Sequence, residues 1–164
     1  MTKNTKKALT WITEILKKHQ ISFQITGGLA AIAYGATREL DDIDIDIPDG
    51  KFDLIIEDVK SFITYGPARF KSDKWDLLLM TLNYHGQEID LSGANSTYIF
   101  NDNNQEWIKL SDDLTKISMQ NIYGLVLPVI SYVDLVNYKK ILARNVDIID
   151  INQMENYINQ KNKS

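Results

Sequence analysis

The sequence predicts an α+β domain, and three observations carry that prediction. Residues 5–18 set apolar side chains at helical spacing. Residues 21–47 run as strand, glycine pair, short helix and strand. Residues 75–92 read as a hairpin, and two further helical patterns close the chain. A length of 164 residues, 44% hydrophobic and 24% charged, supports one domain over 1–164 with a sizeable core. Within it, 1–126 forms the α/β part and 127–160 the C-terminal helices.

The first helix carries Ala8, Leu9, Trp11, Ile12, Ile15 and Leu16 on one side, which makes Trp11 a core residue. His19 falls in the loop that follows, with no partner at a readable spacing, so it stands outside any catalytic assignment. Ile21 to Thr26 alternates apolar and polar residues and reads as a strand. It leads straight into Gly27-Gly28 and the alanine-rich turn Leu29–Tyr34, which Gly35 stops. A helix start of this kind offers free backbone N–H groups to a phosphate, and paired glycines let the backbone come close to it.

From Asp42 to Ile47, acids alternate with isoleucines. A period of two puts Asp42, Asp44 and Asp46 on one face of a strand and Ile43, Ile45 and Ile47 on the other. Like charges so close repel, and a divalent cation between them relieves the repulsion; oxygen-only donors select Mg²⁺ or Mn²⁺ over zinc. The competing reading is a solvated acidic face on an edge strand. A calcium loop is excluded, because its sixth position needs glycine and here holds Ile47.

After Pro48-Asp49-Gly50, residues 52–62 suggest an amphipathic helix burying Phe52, Ile55, Ile56 and Val59. Tyr65-Gly66-Pro67 reads as a turn, with Arg69, Lys71 and Lys74 in the loop beyond. Trp75–Tyr84 and Gln87–Ser92 then form the hairpin around His85-Gly86. Alternation on its return strand sets Glu88 and Asp90 on one face, either of which could serve as a third carboxylate. Residues 95–109 look like an irregular strand and loop whose aromatics Tyr98, Phe100 and Trp107 either stack on a nucleobase or acceptor or cover a sheet edge. Residues 117–129 suggest a strand pair with Pro128 at an edge. Ser131 caps a helix that runs to about Arg144, Asp147 opens another through Ile148, Ile151, Met154 and Ile158, and the Asn-Gln-Lys tail is expected to fray.

Composition narrows the function classes. Without cysteine there is no disulfide framework and no thiolate zinc site. No run of about eighteen apolar residues suggests a membrane span, and the start of the chain lacks a signal-like apolar run, so the expectation is a soluble cytoplasmic protein. A net charge of −4 argues against a broad nucleic-acid surface while leaving room for a small phosphate pocket.

Gly27-Gly28 followed by Asp42-Ile43-Asp44-Ile45 resembles the signature of the nucleotidyltransferase superfamily of polymerase-β-like enzymes and small antibiotic nucleotidyltransferases. Arg38, four residues before the first acid, also fits the minimal members, and the run from Arg38 to Asp46 looks like the lincosamide enzymes. The resemblance implies a polymerase-β-like core with a mixed sheet, flanking helices and a short C-terminal helical segment. It implies that Asp42 and Asp44 bind the metal, with Asp46 in reserve. Asp90 in its Ile-Asp-Leu setting becomes the third acid, with Glu88 competing. Gly27, Gly28 and Arg38 become nucleotide contacts, and Lys139 a triphosphate contact, while Arg144 with Asp147 or Asp150 would pin the last two helices together.

The implied reaction is metal-dependent transfer of a nucleoside monophosphate from a nucleoside triphosphate such as ATP to a hydroxyl, releasing pyrophosphate. The favoured acceptor is a small molecule such as an antibiotic. The alternatives are a toxin or antitoxin component acting on tRNA or protein, and a non-catalytic nucleotide-binding relative; a homodimer is compatible with either.

Overall fold

Every second residue of the central acidic strand is isoleucine, and that alternation divides the molecule into a core side and a cavity side. The structure, a computed structural model, describes residues 3–110 and 113–163. Helix α1 (Thr5–Lys18) precedes strand β1 (Gln24–Thr26), helix α2 (Gly27–Ala33) and strand β2 (Asp42–Ile47). A 3₁₀ turn (Asp49–Leu54), the single helical turn α3 (Ile56–Val59) and a second 3₁₀ turn (Lys60–Phe62) lead to β3 (Ile63–Lys71). Strands β4 (Trp75–Tyr84), β5 (Gln87–Gly93), β6 (Thr97–Asn101), β7 (Glu106–Leu110), β8 (Ile117–Ile122) and β9 (Leu125–Ile130) follow. Helices α4 (Tyr132–Leu142) and α5 (Asn145–Asn162) end the described chain.

The strands form one mixed sheet in the order β7-β6-β4-β5-β2-β1-β9-β8, with β3 against β4. Pairs β2–β5 and β1–β9 are parallel and the others antiparallel. This is an α+β fold with flanking helices, as the sequence predicts.

Ile43, Ile45 and Ile47 are completely buried and share one core with Ala8, Leu9, Ile12 and Leu16 of α1, Ile25 of β1 and Ile89 and Leu91 of β5. Burying a large aliphatic side chain contributes about 1.5–3 kcal/mol, so this face fixes the pairing of β2 and β5. Trp11 stacks on Tyr84 at 4.3 Å between ring centres and meets Phe62 edge-on. His85 occupies the β4–β5 turn with its ring against Tyr84. His19 Nε2 lies 2.6 Å from Asp58, tying the end of α1 to α3. Among the described residues, no helix is long and apolar enough to cross a membrane.

The structure corrects three local expectations. The helix expected over residues 52–62 is broken into two 3₁₀ turns and one α turn; Phe52, Ile55 and Val59 are buried as foreseen, but the three-residue step from Phe52 to Ile55 suits a 3₁₀ turn. The stretch around Tyr65-Gly66-Pro67 lies within β3. That strand pairs with β4 along one side, and its register shifts between Ile63 and Ala68, which accommodates a residue without a backbone N–H. The C-terminal tail is helical through Asn162, where Tyr157 packs directly against Gly35.

Candidate active site

On the face of β2 opposite the isoleucines, the strand pairing assembles a carboxylate cluster. Asp44 lies directly across from Asp90 on parallel strand β5, and Asp42 across from Glu88. Asp42, Asp44 and Asp90 each offer a carboxylate oxygen, and these oxygens lie within 4.8 Å of one another. Asp46 is set apart: it is buried and accepts from Gln24 Nε2 of β1 at 2.8 Å. Glu88 lines the same cavity without joining the three-acid group.

The electrostatics follow from the crowding. Burial, then Asp42 and Asp90, hold the Asp44 carboxyl well above the ordinary carboxylate range, while Lys139 and Arg144 pull it back. Asp90 is pushed up to about 6, first by burial; the hydrogen bond from Thr81 opposes the shift, and Asp42 and Glu88 add to it. Thr81 stands opposite Asp90 on β4 and donates its Oγ1–H to Oδ1 at 2.7 Å. Three convergent carboxylate oxygens, two of them on groups that burial and crowding make reluctant to ionise, are a donor set that fits a hard divalent cation.

Gly27 is required by what stands beside it. Its φ is +62°, and a Cβ there would lie 2.2 Å from Asp44 Oδ2 and 2.9 Å from Cγ. Gly28 is in turn covered by Arg38, whose Nη2 would meet a Cβ at 2.6 Å. The glycine pair therefore seats β2's middle acid and the Arg38 guanidinium against the backbone of α2.

A cavity of about 530 Å³ opens over this cluster. Its lining combines Gly27, Gly28, Arg38, Lys139 and Arg144 with the acids and with the apolar side chains of Phe70, Trp75, Leu77, Leu79 and Leu110. Trp75, Leu77, Leu79 and Thr81 alternate along β4, so the acidic and apolar surfaces are continuous on one sheet face.

Helix α5 supplies a feature the sequence reading only partly anticipated. Arg38 donates from Nε to Asp150 Oδ1 at 2.6 Å and from Nη2 to Oδ2 at 3.1 Å. Lys139 Nζ lies 2.9 Å from Asp150 Oδ2 and 3.3 Å from Asp147 Oδ1. Arg144 donates from Nε and Nη2 to Asp147 at 2.7 and 3.0 Å, and its guanidinium lies 4.9 Å from the centre of the Trp75 ring. Arg144 caps the start of α5 through Asp147, while Lys139 of α4 makes the ionic contact between the two helices that the sequence reading gives to Arg144; Arg144 also lines the cavity, which the sequence did not suggest. Lys139 is 1% exposed. Burial raises the Asp147 carboxyl, but the hydrogen bond and charge of Arg144, with Lys139, outweigh it and leave the group below its ordinary value. No local signal places Trp75 under Arg144; the spacing of Asp147 and Asp150, one helical turn apart, was the available hint of a shared buried face.

The sequence matches no protein-family model and no curated protein. Solved structures do match. A candidate nucleotidyltransferase from Thermotoga maritima superposes with a TM-score of 0.68 at 17% identity, covering 98% of this chain and 94% of its own. The lincosamide antibiotic adenylyltransferase LnuA, solved with lincomycin, gives 0.63 at 17% identity, covering 94% and 98%. ANT(2″)-Ia in complex with adenylyl-2″-tobramycin gives 0.56 at 16% identity, covering 83% and 75%. The chain shares the fold of the first two over nearly its whole length and that of ANT(2″)-Ia over 83% of it.

Proposed function

We propose that this chain is a nucleotidyltransferase that moves a nucleoside monophosphate from a nucleoside triphosphate, ATP first among them, to a hydroxyl of a small acceptor and releases pyrophosphate. The observation that carries the reading is the convergence of Asp42, Asp44 and Asp90 within 4.8 Å in a cavity also lined by Arg38, Lys139 and Arg144. Carboxylates alone would repel a triphosphate, and cations alone would not need three crowded acids. Together they suit a polyphosphate that arrives with a divalent metal.

Asp42, Asp44 and Asp90 are the residues that would hold Mg²⁺ or Mn²⁺, which supplies charge neutralisation at the phosphate oxygens. The chain's own groups do the rest. Gly27 and Gly28 keep the α2 backbone close to the acids, and the net positive charge of the group formed by Arg38, Lys139 and Arg144 with their two acids offsets the charge of the leaving pyrophosphate. In the transfer, the acceptor oxygen forms a bond to the α-phosphorus as the bond from that phosphorus to the pyrophosphate oxygen breaks. The hydroxyl proton goes to the Asp90 carboxylate, whose orientation Thr81 fixes.

A cavity of about 530 Å³ suits small ligands, and its apolar wall of Phe70, Leu77, Leu79 and Leu110 favours an acceptor with an apolar body beside its hydroxyls. LnuA and ANT(2″)-Ia, whose names and ligands concern a lincosamide and tobramycin, make hydroxylated antibiotics the first acceptors to try. The test is Mg²⁺-dependent pyrophosphate release from each of the four ribonucleoside triphosphates against a panel of hydroxylated antibiotics, purified tRNA and no acceptor, with Asp42→Asn and Asp90→Asn as controls. Release that needs an antibiotic and is lost in both variants supports the proposal. Release with tRNA alone would replace the acceptor class, and no release with any acceptor would count against the transferase.

A further inference from the structure

The three cations of the cavity are not independent side chains. Asp147 and Asp150 lie one turn apart on α5, both fully buried, and each takes two cations from different elements. Asp150 takes Arg38 of the α2–β2 segment and Lys139 of α4; Asp147 takes Lys139 and Arg144 of the α4–α5 junction. Two carboxylates hold three cations, so the group carries one positive charge beyond its own compensation. A buried carboxylate is tolerable only when paired and hydrogen-bonded, which makes this chain of contacts obligatory rather than one of many surface arrangements.

The members differ in what they can reach. Lys139 is 1% exposed with its ammonium between both carboxylates, so reaching a ligand would mean abandoning one of them. The side chains of Arg38 and Arg144 are 21% and 38% exposed. Each spends Nε and Nη2 on its carboxylate. Arg38 uses Nη1 on the Glu39 carbonyl at 3.3 Å, while Arg144 Nη1 makes no hydrogen bond among the described residues. Trp75 supports the Arg144 guanidinium from its face and is itself fixed by donating Nε1–H to the Tyr138 hydroxyl at 3.0 Å.

We infer that Asp147 and Asp150 are positioning residues that hold Arg144 and Arg38 as the two arms that bind the polyphosphate of the nucleotide, linked by Lys139, which touches no ligand itself. The inference rests on the nucleotide reading above and revises the expectation that Lys139 makes the contact directly. A planar guanidinium with a fixed rear edge presents its remaining N–H groups in a set direction, which suits phosphate oxygens better than a freely rotating ammonium. The ordering cost is met when the chain folds, not when the nucleotide binds.

The experiment is calorimetric titration of the full chain with Mg²⁺-ATP and with Mg²⁺-tripolyphosphate. The variants are Arg144→Gln, Asp147→Asn, Asp147→Glu and the double variant Asp147→Asn/Arg144→Gln, each checked for folding by circular dichroism. Loss of one charged hydrogen-bonding arm is expected to weaken both probes about ten- to a hundredfold. Asp147→Asn should weaken them nearly as much without touching either probe, Asp147→Glu should recover part of the loss, and the double variant should be no weaker than Arg144→Gln. Additive losses in the double variant, or wild-type affinity in Arg144→Gln, overturn the inference. If Asp147→Asn does not fold, Arg144→Gln decides by itself, since its side chain is partly exposed. Wild-type protein that binds neither probe overturns the nucleotide reading, and this inference with it; wild-type binding with unaffected variants overturns this inference alone.

Discussion

Thr81 and Asp90 face each other across β4 and β5, and the threonine hydroxyl donates to the acid at 2.7 Å. That bond stabilises the ionised carboxylate against burial and against Asp42 and Glu88. Thr81→Val keeps the shape and removes the donor. The Asp90 carboxyl should then move above 6, and the acidic limb of the pH profile of kcat/KM should move up with it. An unshifted limb in a folded variant would detach the limb from Asp90.

The same group sets a stability profile. Asp90 is pushed up to about 6 in the folded protein against 3.8 for an ordinary aspartate, so in that window the folded state binds more protons than the unfolded one. Stability of the metal-free protein should therefore rise as pH is lowered from about 7 toward 5, and fall as pH rises through about 6. Mg²⁺ competes with the proton, so the melting temperature gained on adding it should be larger at pH 7.5 than at pH 5.5. Thermal melts in chelator and in Mg²⁺ at both values check this; an equal gain at the two values would contradict it.

Asp44→Asn should separate folding from function. It takes an acid that resists ionising out of the middle of three crowded carboxyls, so the variant should melt higher than wild type in chelator. It also removes a metal donor, and transfer activity should fall by at least about a hundredfold. A lower melting temperature in chelator would mean that the charge of Asp44 is stabilising as it stands.

Gly27→Ala tests the seat beneath that acid. The substitution meets Asp44 Oδ2 at 2.2 Å and imposes a left-handed residue on alanine, which costs about 1–2 kcal/mol. Asp44 must rotate away, so the stabilisation conferred by Mg²⁺ should shrink along with the melting temperature. A variant that melts lower yet keeps the full Mg²⁺ gain would show that Asp44 has another way to stay in place.

The legible parts of the molecule were those written locally. Asp42 to Ile47 announces its two faces because strand alternation needs no other segment, and the Ile89-Asp90-Leu91 pattern does the same for β5. Gly27-Gly28 marks a tight approach, but only the fold identifies Asp44 as what approaches. Residues 63–71 were misread because Pro67 and Gly66 signal a turn unless an edge position is already known. Lys139 reads as a triphosphate contact because its burial depends on two acids from the next helix, and Arg144's place over Trp75 is purely tertiary.

The parallel alignment of β2 with β5 has a consequence for how the protein can change. Asp44 and Asp90 are adjacent because Ile43 matches Ile89 and Ile45 matches Leu91. The spacing of the acids is thus set by neighbouring strands about 4.8 Å apart and not by the acids themselves. Deleting one residue from β5 would turn Asp90 inward and an aliphatic side chain outward, so the core and the chemistry would fail in the same step. A gain or loss of one residue between residues 42 and 47 or 87 and 93 would therefore erase the site at once.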